Sequence, residues 1–156
     1  MNMALETKKL IEQFSLQAIA SNDPEQTLIN IYRFLKKHFP LNLMNTAIYD
    51  SRRGVFHYRV AVTDEGVMMA KETVKLSEPA RSRALEELKT PIVNIACTNR
   101  HPVTADVSKH FSTETGSSLS ATKKIDDSHY LLIGLLAWGV GLYQEKHIRL
   151  LEGLYE

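Results

Sequence analysis

Apolar residues recur along this chain with two periods, two where a strand is predicted and about 3.6 where a helix is. Period two is clearest in Ser117–Ile125, where Leu119, Ala121 and Ile125 share one parity and Ser118, Ser120 and Thr122 the other. Asp126, Asp127 and Ser128 follow, short side chains that bond their own backbone in turns. His129–Trp138 is nearly unbroken apolar, too short to span a bilayer, and predicts a strand buried on both faces. Gly139 and Gly141 break that run. A closing helix is predicted from near Gln144, with Glu145 at its positive end. Its Ile148, Leu150, Leu151, Leu154 and Tyr155 span an arc of ~160° on a helical wheel. That arc is wide enough to meet the sheet and one further neighbour. With no Gly or Pro stop signal, the helix is expected to continue in a longer parent protein.

Ala4–Ala20 predicts a helix with two apolar faces, Leu5, Leu16 and Ile19 on one and Leu10, Ile11, Phe14 and Ala18 on the other. The second face packs either within the chain or on a second copy. Asp23 is a good N-cap, Pro24 suits the first helical position and Gln26 can complete a capping box. That second helix is expected to reach about Phe39 on a stripe of Leu28, Ile31, Tyr32, Leu35 and Phe39. Lys36, Lys37 and His38 suit its negative end, and Pro40 stops it. Asn42–Tyr49 and Val55–Thr63 predict two strands around a turn ending in Gly54. In the second, Phe56, Tyr58, Val60 and Val62 form one face, and Val55, His57, Arg59 and Ala61 the other. The mixed face with His57 and Arg59 is either exposed or the wall of a polar pocket. Glu72–Leu76 and Pro91–Ile95 predict short strands, and Pro79 opens a short helix over Ala80–Leu88. Ala96–Gly116 shows no clear period and is expected to be a long loop, of the kind that is functional or mobile. The sum is one α+β domain over residues 1–156, with a central antiparallel sheet of five to six strands.

The run of strand, turn, buried strand and Gly-containing linker ends in Tyr143, Gln144, Glu145, Lys146, His147, Ile148, Arg149, Leu150, Leu151 and Glu152. That order, and this aromatic-Gln-Glu-x-His-x-x-Leu-Leu-Glu segment most of all, resembles the end of a GAF sensory domain. It is similar in particular to GAF-type domains at the front of bacterial sigma-54-dependent transcriptional regulators. Where that family has a tighter, Gly-containing turn, this chain has Asp126–His129. The resemblance implies a GAF-like (profilin-like) fold. Its terminal helices lie on one face, and a short helix and long loop cover a ligand pocket on the other. It also implies a homodimer through the terminal helices, and an attached sigma-54-type ATPase and DNA-binding domain.

Charge and cysteine content narrow the function. Lys and Arg number 19 against 18 Asp and Glu, so the chain carries no electrostatic footprint for nucleic acid or anionic membrane. Cys97 is the only cysteine, which excludes an intrachain disulfide and a cysteine-rich zinc site and fits a reducing compartment. With no apolar leader or 18-residue apolar run, a soluble cytoplasmic protein is expected. None of the six histidines makes a recognised metal spacing, and His101, His110 and Asp106 share only the long loop. Cys97 and His101 could pair as an activated nucleophile. Bilin-binding GAF domains have His directly after the attachment cysteine, where this chain has Thr98, and GAF-like methionine-sulfoxide reductases cycle through paired cysteines. Gly139-Val140-Gly141 lacks the Lys-Ser/Thr of a phosphate loop, and no Gly-x-Ser-x-Gly elbow occurs. Trp138 either fills core at a strand end or stacks on a planar ligand.

These readings point to a non-catalytic sensory domain with no cofactor, an unknown small-molecule effector, and no membrane or direct nucleic-acid contact. Strand parity and loop position nominate His57, Arg59, Arg100, His101, Asp106, Ser118, Ser120 and Thr122 as ligand-binding residues. For Ser118, Ser120 and Thr122 a solvent-facing strand remains the alternative. Two other functions stay open, a dimerisation module with a vestigial pocket and a small Cys97-dependent enzyme.

Overall fold

The computed structural model describes residues 22–69, 72–111 and 115–155, with positions 8, 9, 12, 13 and 16 also described as helical. Apart from Leu16, which is exposed, the two apolar faces read for Ala4–Ala20 lie outside the described residues. Helix α1 (Pro24–Lys36) starts as expected, with the Asp23 carboxylate accepting from the Glu25 amide. Gln26 donates to Asn30 one turn further along. The helix stops at Lys36, short of Phe39, and Lys36 is an ion-pair partner of Asp64 at 2.6 Å. Tyr32 donates to the same carboxylate at 3.0 Å, fixing α1 to the strand turn that carries Asp64.

The sheet comprises β1 (Leu43–Asp50), β2 (Val55–Thr63), β3 (Gly66–Met69), β4 (Thr73–Lys75), β5 (Ile92–Ile95), β6 (Gly116–Lys124) and β7 (His129–Trp138). Their order is β3-β2-β1-β7-β6-β5, every pairing is antiparallel, and β4 shares the β2 edge with β3. The fold is the expected α+β, GAF-like one, with a seventh strand: β3 is the short return of a β2 hairpin through Asp64 and Glu65. The stretch 96–116 is not a bare loop. It holds a 3-10 turn, Thr98–Arg100, and a helix, Pro102–Phe111. That helix is α3, following α2 (Glu78–Glu87); the closing helix is α4 (Glu145–Tyr155).

Each sheet face has its own core. One packs α1 and α4 around Leu119, Ala121, Leu135, Val62 and Met44. The other packs α2 and α3 around Tyr49, Phe56, Tyr58, Val74, Ala80 and Val103. Strand β7 is buried on both faces only over Gly134–Ala137, since Ile133 is 39% exposed. The β6–β7 turn is held by Asp126, whose carboxylate accepts from the Ser128 and His129 amides at 2.9 Å each. The Ser128 amide chiefly, then the His129 side chain, lower this carboxyl to about 2.

Strand β2 carries an irregularity that matters for the site. Thr46 pairs with Val60 and Ala47 with Tyr58, leaving Arg59 as an extra, bulged residue. The bulge reverses parity along the strand. Phe56 and Tyr58 belong to the α2–α3 side, whereas Val60 and Val62 pack on the α1–α4 side.

Helix α4 is capped by its own histidine: the buried His147 accepts from the Gln144 amide at 2.8 Å through Nδ1. Burial first, and neighbouring Lys146 second, hold His147 below its ordinary pKa, and burial and Lys37 do the same for His38. Both therefore favour the neutral form in the folded state, and the unfolded chain binds more protons at mildly acid pH. Their contribution to stability is complete above the unfolded pKa of about 6.5, and it is lost as the pH falls through that value and the folded one. The urea midpoint should fall between about pH 7.5 and 5, with a shallower fall in His147→Gln; equal slopes would remove His147 from this account.

Candidate ligand cavity

On the α2–α3 side, one end of the sheet is not filled. A cavity of about 340 Å³ lies between the strands and helices α2 and α3, within the ~300–1,000 Å³ of small-molecule sites. Its floor is one row of residues across six strands, with Met68, Ala61, Asn45, Gly134, Ser120 and Val93 each opposite the next. The neighbouring row is Leu43, Leu136, Ser118 and Ile95.

The floor stays open because its centre is built from small residues. Ser118, Ser120 and Thr122 alternate with Leu119 and Ala121, so one side of β6 fills the α1–α4 core while the other presents only hydroxyls. Gly134 has no side chain, and a Cβ there would lie 2.4 Å from Asn45 Oδ1, so the Asn45 amide occupies that space. No hydrogen bond among the described residues uses the Asn45 amide or the Ser118 and Ser120 hydroxyls. The far wall is apolar and aromatic. Phe56 stacks tilted on Tyr49 at 4.6 Å, and Phe111 meets Tyr58 edge-on at 5.2 Å. Trp138 stands on the cavity wall at the end of its strand.

The nominated residues divide. Ser118, Ser120 and Thr122 line the cavity and are buried, so the solvent-facing alternative for that face does not hold. The other five are absent from the described wall. His57, on the parity opposite Phe56, lies near Thr73 Oγ1 at 3.3 Å, and the bulge leaves Arg59 exposed. Arg100 is exposed on the 3-10 turn. His101 is a structural tie: Nδ1 accepts from the Val103 amide at 3.2 Å, capping α3, so Nε2 carries the proton and donates to Glu87 at 2.9 Å. Asp106 accepts from the amide and hydroxyl of Ser77, both at 2.8 Å, which binds α3 to the N-terminus of α2. Cys97 is half-buried away from the wall, and His101 is engaged elsewhere. Among the described residues no group of three or more His, Cys, Asp or Glu side chains converges on a possible metal position.

Sequence reasoning missed Asn45 and Gly134, whose roles appear only once β1 pairs with β7. It also missed α3, although Pro102 followed by Val103, Val107 and Phe111 at four-residue spacing is a helix signal.

The Tyr49 hydroxyl is the one side-chain polar atom among the described residues that is wholly shut off from solvent and lacks a hydrogen-bond partner. Burial chiefly raises its pKa, so it remains a neutral phenol. An unsatisfied buried hydroxyl costs about 1–3 kcal/mol. Tyr49→Phe should therefore raise the unfolding free energy of the ligand-free protein by about 1 kcal/mol in urea melts; a loss of stability would mean that the hydroxyl has a partner.

No family model and no curated protein matches the chain. Solved structures do. A GAF domain from a phosphoenolpyruvate-protein phosphotransferase of Coxiella burnetii is 14% identical, with a TM-score of 0.66 over 99% of this chain and 92% of that one. The free methionine-R-sulfoxide reductase of Neisseria meningitidis, solved with its substrate, is 16% identical, with a TM-score of 0.62 over 99% and 86%. The nlh2 GAF domain of A. aeolicus is 11% identical, with a TM-score of 0.56 over 99% and 90%. At such identities the likeness is one of architecture, and the architecture is that of the GAF fold.

Proposed function

We propose that this chain is a non-catalytic sensory domain that binds a small molecule in the cavity and passes the event to α4. The carrying observation is the adjacency of Ser117 and Ser118. Ser118 lines the cavity, whereas the fully buried Ser117 hydroxyl lies 2.8 Å from the Gly139 carbonyl and accepts from the Leu142 amide at 3.0 Å. Gly139 and Gly141, with φ of 135° and 66°, form the bend between Trp138 and α4. The Gly141 amide also donates to the Ala96 carbonyl just beyond β5. The Ser117 hydroxyl thus ties β6, the strand that carries part of the cavity floor, to the entrance of α4.

The transmission is a population shift, in which the effector binds one arrangement of α4 better than another. The output is the activity of an attached sigma-54-dependent transcriptional activator, a reading supported by the Tyr143–Glu152 segment, and the active unit is a cytoplasmic homodimer through its terminal helices. The likeness to a sulfoxide reductase does not favour an enzyme, because the single cysteine stands off the cavity wall.

Thermal-shift screening followed by hydrogen exchange tests the proposal. A compound that raises Tm should slow exchange in residues 145–155. A stable dimer with no hit from a broad library would favour a dimerisation module with a vestigial pocket. Ser117→Ala should lower stability by about 1–3 kcal/mol, because it leaves the Leu142 amide unpaired. It should preserve binding in the cavity but abolish the change in α4 exchange. Transmission unaltered in this variant would dismiss the Ser117 route.

A further inference from the structure

The geometry points to the chemical class of the effector: an uncharged molecule with an apolar, ring-sized body and one amide-like hydrogen-bonding group seated on Asn45, Gly134 and Ser120. This inference rests on the sensory reading and adds the ligand's chemistry to it.

Charge is decided by the wall. Among the described residues it carries no Lys, Arg or His, and its one ionisable acid is Glu87. That carboxylate already accepts from His101 Nε2 at 2.9 Å, with Arg83 Nε at 3.9 Å. An anion entering here would lose its hydration and meet no cation among the described residues. A cation would have one carboxylate to meet, Glu87, and would share it with His101 and Arg83. A buried anion is left unpaired, which is strongly unfavourable, and a cation gains only a partner that is already engaged. The five charged or titratable residues nominated from the sequence lie off the described wall.

The position of the polar group is decided by the floor. Asn45 and Ser120 flank Gly134 on neighbouring strands, about 10 Å apart at two strand spacings. The missing side chain at Gly134 lets the Asn45 amide lie over the middle strand. An amide offers one donor set and one acceptor, and a serine hydroxyl can act as either. A carboxamide on the ligand would complement both. The rest of the molecule would lie against Phe56, Tyr58, Phe111 and Leu132, which give it apolar and edge-on aromatic contact.

The test uses matched compounds that differ only in charge: benzamide, benzoate and benzamidine, with their naphthalene counterparts. Binding to residues 1–156 is followed by NMR shifts of the Ser118, Ser120 and Gly134 amides. Each carboxamide should bind at least tenfold tighter than its carboxylate and amidinium partners. Asn45→Leu should reduce that preference to within threefold. Gly134→Ala, which pushes the Asn45 side chain aside, should do the same. If either variant fails to fold, the preference in the unaltered protein still decides. Equal or tighter binding of a charged partner with the same shifts would overturn the ligand class and leave the sensory reading intact. Millimolar carboxamides that shift none of these amides would also overturn the class. The sensory reading would then stand or fall on the thermal-shift and exchange series.

Discussion

The two-residue period of β6 and β7 is the constraint from which the rest of the molecule follows. Leu119, Ala121, Leu135 and Ala137 point to one side and close the core under α1 and α4. Their neighbours Ser118, Ser120 and Gly134 must then point to the other side, where their small size leaves space. A sheet with large residues on both sides would leave no cavity. The cavity is therefore a local property of a few floor positions, and it persists because the opposite core is well filled. Close packing on one side supplies the rigidity that an empty volume on the other side requires.

The bulge at Arg59 extends the same logic to β2. One inserted residue lets a single strand serve the aromatic wall through Phe56 and Tyr58 and the helix-side core through Val60 and Val62. Without it, one of those pairs would face the wrong layer. The helices above the cavity are anchored by polar ties as well as by their apolar core. His101 bridges to Glu87, and Asp106 holds the cap of α2. These residues have the chemistry of a binding site but support its roof.

How far the sequence could be read follows from the range of each interaction. The Asp23 cap, the parity of β6 and the turn at Asp126 are local, and all three could be read without a structure. The same parity put Ser118, Ser120 and Thr122 on one face, and only the structure shows that this face lines the cavity. Asn45 and Gly134 could not be found that way, because they are distant in the chain and meet only through the β1–β7 pairing. The sides taken by His57 and Arg59 could not be read, because periodicity assumes an unbroken strand and one bulged residue reverses the parity across it. Helix α3 was hidden by an unusual cap, a histidine ring in place of Ser, Thr, Asp or Asn, and by polar residues between its apolar positions.

The split edge beside β2 bears on how copies of this protein meet. β3 covers Val60–Thr63 and β4 covers Val55–His57, so that margin is shared between strands of four and three residues. The opposite margin, β5, is also four residues long. Neither border offers the long, flat row of free amides and carbonyls on which another chain could add a strand. Among the described residues the sheet is thus poorly suited to template fibrils or to recruit a further strand.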